Sequence, residues 1–219
     1  MKPFVPNPFP SLGVEQEFHL IDAQTGHLTP AIDRVLAVLD GDLKDSIDYE
    51  LFQAVLEYKT PVCQTADELL EAVIQSRTRL ARACEKVGVR LAAAGTHPFT
   101  PWQNQPAIDN AHYRWVVDQC GYLARRMFGF GLHIHVGMAS LEAAMYALQE
   151  MRPWVYPLLA LSANSPYYEG HLTGLASVRA HLFGSMPRTG MIPPFSDFAE
   201  LEAFYDQLVA AGDITRPGD

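Results

Sequence analysis

Cysteine is scarce in this 219-residue sequence: Cys63, Cys84 and Cys120 are odd in number and widely spaced. No CxxC pair occurs, which excludes a disulfide framework and makes a reducing, cytoplasmic location the expectation. Long hydrophobic runs are missing too; none approaches the roughly 18 residues of a membrane span. The proline-rich start, MKPFVPNPFPSLG, lacks the apolar centre of a signal peptide. Positive charge is short. Lys and Arg number 16 against 25 Asp and Glu, a formal net charge of −9 that argues against a nucleic-acid-binding face. Small anionic ligands are not excluded, because a few arginines or metal ions hold them whatever the net charge.

Several catalytic signatures are absent as well. There is no GxxxxGK[ST] phosphate loop, no GxGxxG after a strand, no HExxH zinc helix and no GxSxG nucleophile elbow. What is present is a globular composition, 48% apolar and 19% charged. No repeat, low-complexity tract or linker interrupts it, so residues 1–219 read as one domain.

Residues 1–11 read as an extended arm. In LGVEQEFHLI the residues Val14, Gln16, Phe18 and Leu20 share one parity and Glu15, Glu17 and His19 the other, the period of a strand. A short helix is expected over 31–39, and a β-rich run over 51–62 stops at Pro61. Thr65 and Glu68 form a capping box before a helix closed by Gly88. A strand follows over 89–94, then a helix over 111–127 and a strand over 130–138. Further helices are expected near 140–151, 154–163 and 173–183, with a last one capped by Asp197 and Glu200 and closed by Gly212. Strands and helices alternate without a strict βαβ rhythm, which favours an α+β fold with a largely antiparallel sheet.

Glu15 and Glu17 lie two apart on a strand, so their carboxylates leave one face and repel unless a cation lies between them. A solvated strand face is the plain alternative. His133 and His135 in FGLHIHVG repeat this geometry, with Leu132, Ile134 and Val136 on the other face, where they fit a core. The flanking Gly129, Gly131 and Gly137 allow a ligand or a second backbone to come close. Glu50 and Glu57 reach one site only if the chain bends after Glu50. Hard oxygen donors in this number suit Mg²⁺ or Mn²⁺ rather than zinc. Arg125, Arg126, Arg179 and Arg188 are candidates for anion contact, Arg179 foremost.

The segments GVEQEFHLID, ELFQAVLEYKTPVC, AGTHPFTPWQNQP, FGLHIHVG, ALSANSPYYEG and TGLASVRAHLFGSMPRTGMIPPF occur in this order. Together they resemble the type 2 glutamate–cysteine ligases, carboxylate–amine ligases of the YbdK kind, from about Leu12 to the last helix. The resemblance implies a glutamine-synthetase-like catalytic fold and ATP-dependent joining of a carboxylate such as glutamate to an amine such as cysteine. The carboxylate is first phosphorylated by ATP, and the amine then displaces phosphate. It implies that Glu17, Glu50 and Glu57 hold one Mg²⁺ or Mn²⁺, that Glu15 and His133 hold a second, and that His135 faces the phosphates. Arg179 and Asn164 match segments near the substrate pocket, with Arg179 also toward the nucleotide; His97 matches more weakly, as a loop holder. Members commonly self-associate, so a homo-oligomer is an implied state.

Two departures stand out. Gln16 occupies a position where members commonly carry an acid, and its parity turns it away from the metals. Members also continue past the end of this sequence, with strands that carry a further glutamate and an arginine. A C-terminally incomplete, non-catalytic copy that binds nucleotide or a partner is therefore a second reading. A binuclear metal hydrolase built on His133 and His135 is a third.

Overall fold

The computed structural model describes residues 4–7 and 9–215. Pro3 and Pro8 of the expected arm lie outside the described residues, as do the last four positions. The described chain forms two compact units.

The larger unit spans Leu12–His135 and Ser162–Gly190. It opens with β1 (Leu12–Asp22), followed by the short helices α1 (Ile32–Leu36) and α2 (Gly41–Lys44). A hairpin of β2 (Ile47–Tyr49) and β3 (Val55–Lys59) leads to α3 (Ala66–Lys86) and β4 (Val89–Ala92). Next come α4 (Ala111–Cys120), α5 (Tyr122–Arg126) and β5 (Leu132–Val136, whose last residue belongs to the smaller unit). Among the described residues these strands form one sheet in the order β2-β3-β1-β4, with β5 also paired to β1. The β1–β3, β1–β4 and β2–β3 pairings are antiparallel. The expected α+β architecture with a largely antiparallel sheet is what is found.

Strand parity decides the two faces of β1. Phe18 and Leu20 enter a core with Leu56, Tyr58, Ile47, Leu80, Cys84 and Val89. Gln16 shares that face; it is buried, and its Oε1 accepts from Arg77 Nε of α3 at 2.8 Å. Helix α3 starts at the expected cap, with the reciprocal bond shifted from Thr65 to the residue before it. Thr65 accepts from the Glu68 amide, while the Glu68 carboxylate accepts from the Gln64 amide at 2.7 Å. Such a cap contributes about 1 kcal/mol. Gly88 follows the helix with φ of +76°, a left-handed conformation that suits glycine.

The expected helix over 111–127 is two helices. Gly121, with φ of +53°, turns the backbone out of helical geometry between α4 and α5. The rest of this unit is β6 (Tyr167–Tyr168), β7 (His171–Leu172) and α8 (Val178–Phe183). The helix expected over 173–183 is therefore shorter. Gly174 adopts φ of +78°, and the Ser177 hydroxyl, accepting from the Ala180 amide, starts α8 only there.

The described parts of the smaller unit contain α6 (Leu141–Glu150), α7 (Val155–Ser162, whose last residue belongs to the larger unit) and α9 (Phe198–Ala211). Asp197 caps α9 by accepting from the Glu200 amide, and Gly212 closes it in the left-handed region. Leu201, Phe204, Tyr205 and Leu208 are its less exposed side, as the spacing predicts. No helix among the described residues is long and apolar enough to cross a membrane.

One expectation is corrected. Leu132, Ile134 and Val136 do not enter a core; they are 60%, 66% and 46% exposed. Alternation identifies a strand but not whether another layer covers its apolar face.

Candidate metal and anion site

The register of the sheet assembles the site. Glu17 of β1 pairs with Glu57 of β3, and Glu57 pairs in turn with Asp48 of β2. Glu15 pairs with Lys59. These side chains leave the face opposite the α3 core. Glu50 directly follows β2, and the bend at 51–54 that turns the chain into β3 brings it back close enough to Glu57 and Glu17 for their charges to act on it. The chain thus bends where convergence of Glu50 and Glu57 requires it.

β5 supplies the imidazoles. His133 Nδ1 lies 3.0 Å, and His135 Nε2 3.2 Å, from the same oxygen of Glu15, Oε2. The backbone of β5 also touches the acids. The Gly131 amide donates to Glu17 Oε2 at 2.6 Å. A Cβ at Gly131 would stand 2.8 Å from the Glu17 Cδ, too close for any real side chain. The glycine is what lets this carboxylate lie flat against the strand.

Two groups of ligand atoms result, each within 4.8 Å of one another: Glu15 with His133 and His135, and Glu17 with Glu57 and His133. Glu50 stands next to the second group without joining it. Five of the expected metal or phosphate residues thus fall into two ligand groups that share His133, and the sixth flanks them. The donor set, carboxylate oxygens with imidazole nitrogen, fits a hard divalent cation such as Mg²⁺ or Mn²⁺.

The electrostatics agree with a cation-binding role. Burial, reinforced by Glu17 and Glu57, raises the Glu50 carboxyl to about 7. Burial also pushes Glu17 above the usual carboxylate range, with Glu57 adding to it and the Gly131 amide opposing. Burial acts in the same direction on Glu15, but hydrogen bonds from His133 and His135 outweigh it, and its pKa falls. Like charges this close raise each other's pKa unless a cation intervenes.

Arg179 belongs to the same surroundings. Burial pulls its guanidinium pKa down and the Glu17 charge acts against that. Its Nε is buried with no hydrogen-bond partner among the described residues, its Cζ sits 5.4 Å from the Phe183 ring centre, and a Cβ on Gly129 would approach that Nε to 3.3 Å. A half-buried guanidinium with an unused donor suits an anion. The Asn164 carbonyl accepts from the Gly95 amide at 2.7 Å, and Ser165 Oγ accepts from the Arg179 amide at 3.2 Å. The Asn164–Ser165 segment is therefore tied to α8. His97 holds its loop, with Nε2 on the Gly26 carbonyl and Nδ1 accepting from the Thr100 amide. Arg126 stacks on Tyr122, and Arg188 adopts φ of +58°.

Three participants escape a reading of the sequence. Lys59 Nζ lies 2.5 Å from Asp48, 3.3 Å from Glu57 and 3.7 Å from Glu15. Tyr113 of α4 donates to the Tyr49 carbonyl at 2.5 Å. Burial and then the charges of Glu50, Glu57, Asp48 and Glu17 push its hydroxyl pKa up. Lys59 and Asp48 could have been suspected only from the strand register, which their spacing does not reveal.

Comparison with known proteins completes the picture. Residues 11–219 match the family model "Glutamate-cysteine ligase family 2(GCS2)". The chain is 41% identical over 202 residues to "Putative glutamate--cysteine ligase 2-1" of Rubrobacter xylanophilus, covering 92% of this chain and 54% of that protein. It is 38% identical over 211 residues to "Glutamate--cysteine ligase" of Haloferax volcanii, covering 95% and 59%. The chain thus spans little more than half the length of these relatives. Among solved structures it is similar to a bifunctional glutathione synthetase from Pasteurella multocida, with a TM-score of 0.66 at 15% identity over 95% of this chain and 31% of the other. A glutamate–cysteine ligase from Francisella tularensis in complex with AMP gives a TM-score of 0.50 at 10% identity, over 69% and 31%. These last likenesses concern the fold alone. The match over nearly the whole chain settles the kinship: this protein belongs to glutamate–cysteine ligase family 2.

Proposed function

We propose that this chain carries the metal- and nucleotide-binding part of an ATP-dependent carboxylate–amine ligase with a glutamine-synthetase-like catalytic fold. The observation that carries this reading is the placing of Glu15, Glu17, Glu57, His133 and His135 in two groups of ligand atoms that share His133. Glu17 and Glu57, with Glu50 beside them, would hold one Mg²⁺ or Mn²⁺, and Glu15 and His133 a second. His135 would complete that second site or contact the phosphates. Cations held there would supply neutralisation of phosphate charge and alignment of the γ-phosphoryl group.

The reaction proposed has two steps. An oxygen of the carboxylate substrate, glutamate in the assigned pair, attacks the γ-phosphorus of ATP, and ADP leaves. The amine of the second substrate, cysteine in that pair, then attacks the acyl carbon. Phosphate leaves with the C–O bonding electrons, the nitrogen gives up a proton, and an amide remains. The protein's own part is positioning and charge. Arg179 would face the negative charge that builds on the transferred phosphoryl or the acyl phosphate. Asn164, anchored to Gly95 through its carbonyl, would offer its amide side chain to the substrate.

Calorimetry with a non-hydrolysable ATP analogue, with and without Mg²⁺, tests the binding half. ADP release with ATP, Mg²⁺, glutamate and cysteine tests the reaction. Magnesium-dependent nucleotide binding is expected. Absence of both nucleotide binding and ADP release would overturn the reading.

A further inference from the structure

The metal reading leaves one charged group in the middle of the cluster without a role. Lys59 is fixed by its backbone in the β1–β3 ladder opposite Glu15, so only its flexible four-carbon stem can move. Its ammonium lies between three carboxylates. Glu57 at 3.3 Å and Glu15 at 3.7 Å belong to the two ligand groups, whereas Asp48 at 2.5 Å belongs to neither. A divalent ion held by Glu15 or Glu57 would stand a few ångströms from this ammonium. At such distances two like charges cannot both be accommodated without cost, even with partial solvent screening.

We propose that Lys59 is the site's built-in counter-cation, which holds Glu15 and Glu57 together without metal, competes with the divalent ion for them, and yields by moving wholly onto Asp48. The proposal rests on the metal reading given above. Glu15, Glu17, Glu50, Glu57 and Asp48 crowd one strand face. Against them stand Lys59, the half-buried Arg179 near Glu17, and the two histidines. Removing the lysine removes the cation that touches both strands of the pair. Asp48 is suited to receive it, since its side chain is 56% exposed and one register step outside the ligands. The expected consequence is a site that is sturdier without metal and binds metal more weakly than its donors alone would allow.

The test is Mn²⁺ titration followed by the electron paramagnetic resonance of free Mn²⁺, together with thermal unfolding in chelator. Lys59→Met is expected to bind Mn²⁺ about tenfold more tightly, equivalent to about 1.4 kcal/mol, and to melt lower than the unaltered protein in chelator. Lys59→Arg, which keeps the charge, is expected to bind within about threefold of the unaltered protein. Should Lys59→Met fail to fold, Lys59→Gln serves with the same expectation. In an Asp48→Asn background the gain from removing Lys59 is expected to grow, because the ammonium then has no partner outside the metal ligands; no growth would overturn the role of Asp48. Binding by the unaltered protein with no tightening in either neutral variant would overturn the competition and leave the metal reading standing. No Mn²⁺ binding by any of these proteins would overturn both.

Discussion

Glu17 and Glu57 stand directly opposite each other on β1 and β3. Like charges in that position weaken a strand pair by up to roughly 1 kcal/mol, yet here Glu50 joins them, and the charges of Glu17 and Glu57 act on it. A sheet selected for stability alone would not place three acids so. The arrangement makes sense as a pocket whose stability is completed by a cation, and the first consequence concerns pH.

Glu50 has its pKa raised to about 7 by burial and its acidic neighbours, from an ordinary 4.5. The folded protein therefore binds more protons than the unfolded chain between those values. By linkage, the Glu50 contribution to metal-free stability falls as pH rises through that window, by at most about 3 kcal/mol, and levels off above it, while the buried His19 and His97, whose pKa values burial lowers, contribute in the opposite sense below about 6.5 in chelator and in Mn²⁺ alike. Saturating Mn²⁺ is expected to flatten or reverse the slope, since the metal requires the charged carboxylate. Melting temperature measured from pH 4.5 to 8, in chelator and in Mn²⁺, checks this; identical slopes in the two conditions would contradict it.

Gly131→Ala probes how Glu17 is held. The new methyl would press on the Glu17 carboxyl group. Overpacking of this kind costs about 1–3 kcal/mol, and the carboxylate must turn away. Mn²⁺ affinity is expected to fall at least tenfold while the circular dichroism spectrum is retained. Affinity equal to that of the unaltered protein would mean that Glu17 is not a ligand.

Gln16→Glu is the complementary control. This position faces the α3 core and accepts from Arg77. An acid there finds a guanidinium partner and no metal. Mn²⁺ affinity is expected to stay within about twofold, and a larger change would show that parity does not separate Gln16 from the site.

Arg179→Met removes the half-buried guanidinium near Glu17. Loss of a donor to developing transition-state charge typically lowers rate by about 10²–10³. In a protein that turns over, ATP-dependent ADP release is expected to fall by that factor. Mn²⁺ affinity is expected to hold or improve, because a positive neighbour is gone. A fall in metal affinity with no loss of rate would reassign Arg179 to a structural role.

Much of this site is legible in the sequence because it depends on local periodicity. The parity of Glu15 and Glu17, the His133–His135 pair and the capping box at Thr65 all follow from spacing. Gly131 is legible as a close-approach glycine, although what approaches is the Glu17 side chain. Other features depend on tertiary pairing. The position of Lys59 among three acids follows from the register of β1, β2 and β3, and Tyr113 is brought in by α4. The break at Gly121 reflects a positive φ that an apolar helical stripe conceals. The exposure of Leu132, Ile134 and Val136 is hidden for a related reason, since alternation does not say what lies above a strand.

The central claim is that the Glu17–Glu57 pair is a divalent-cation site. Its most direct test is Mn²⁺ binding, read as loss of the free-ion resonance signal, in the unaltered protein and in Glu57→Gln. The account predicts saturable binding that weakens at least tenfold in the variant, with a melting temperature in chelator equal to or above that of the unaltered protein. Binding of equal affinity in Glu57→Gln would contradict it.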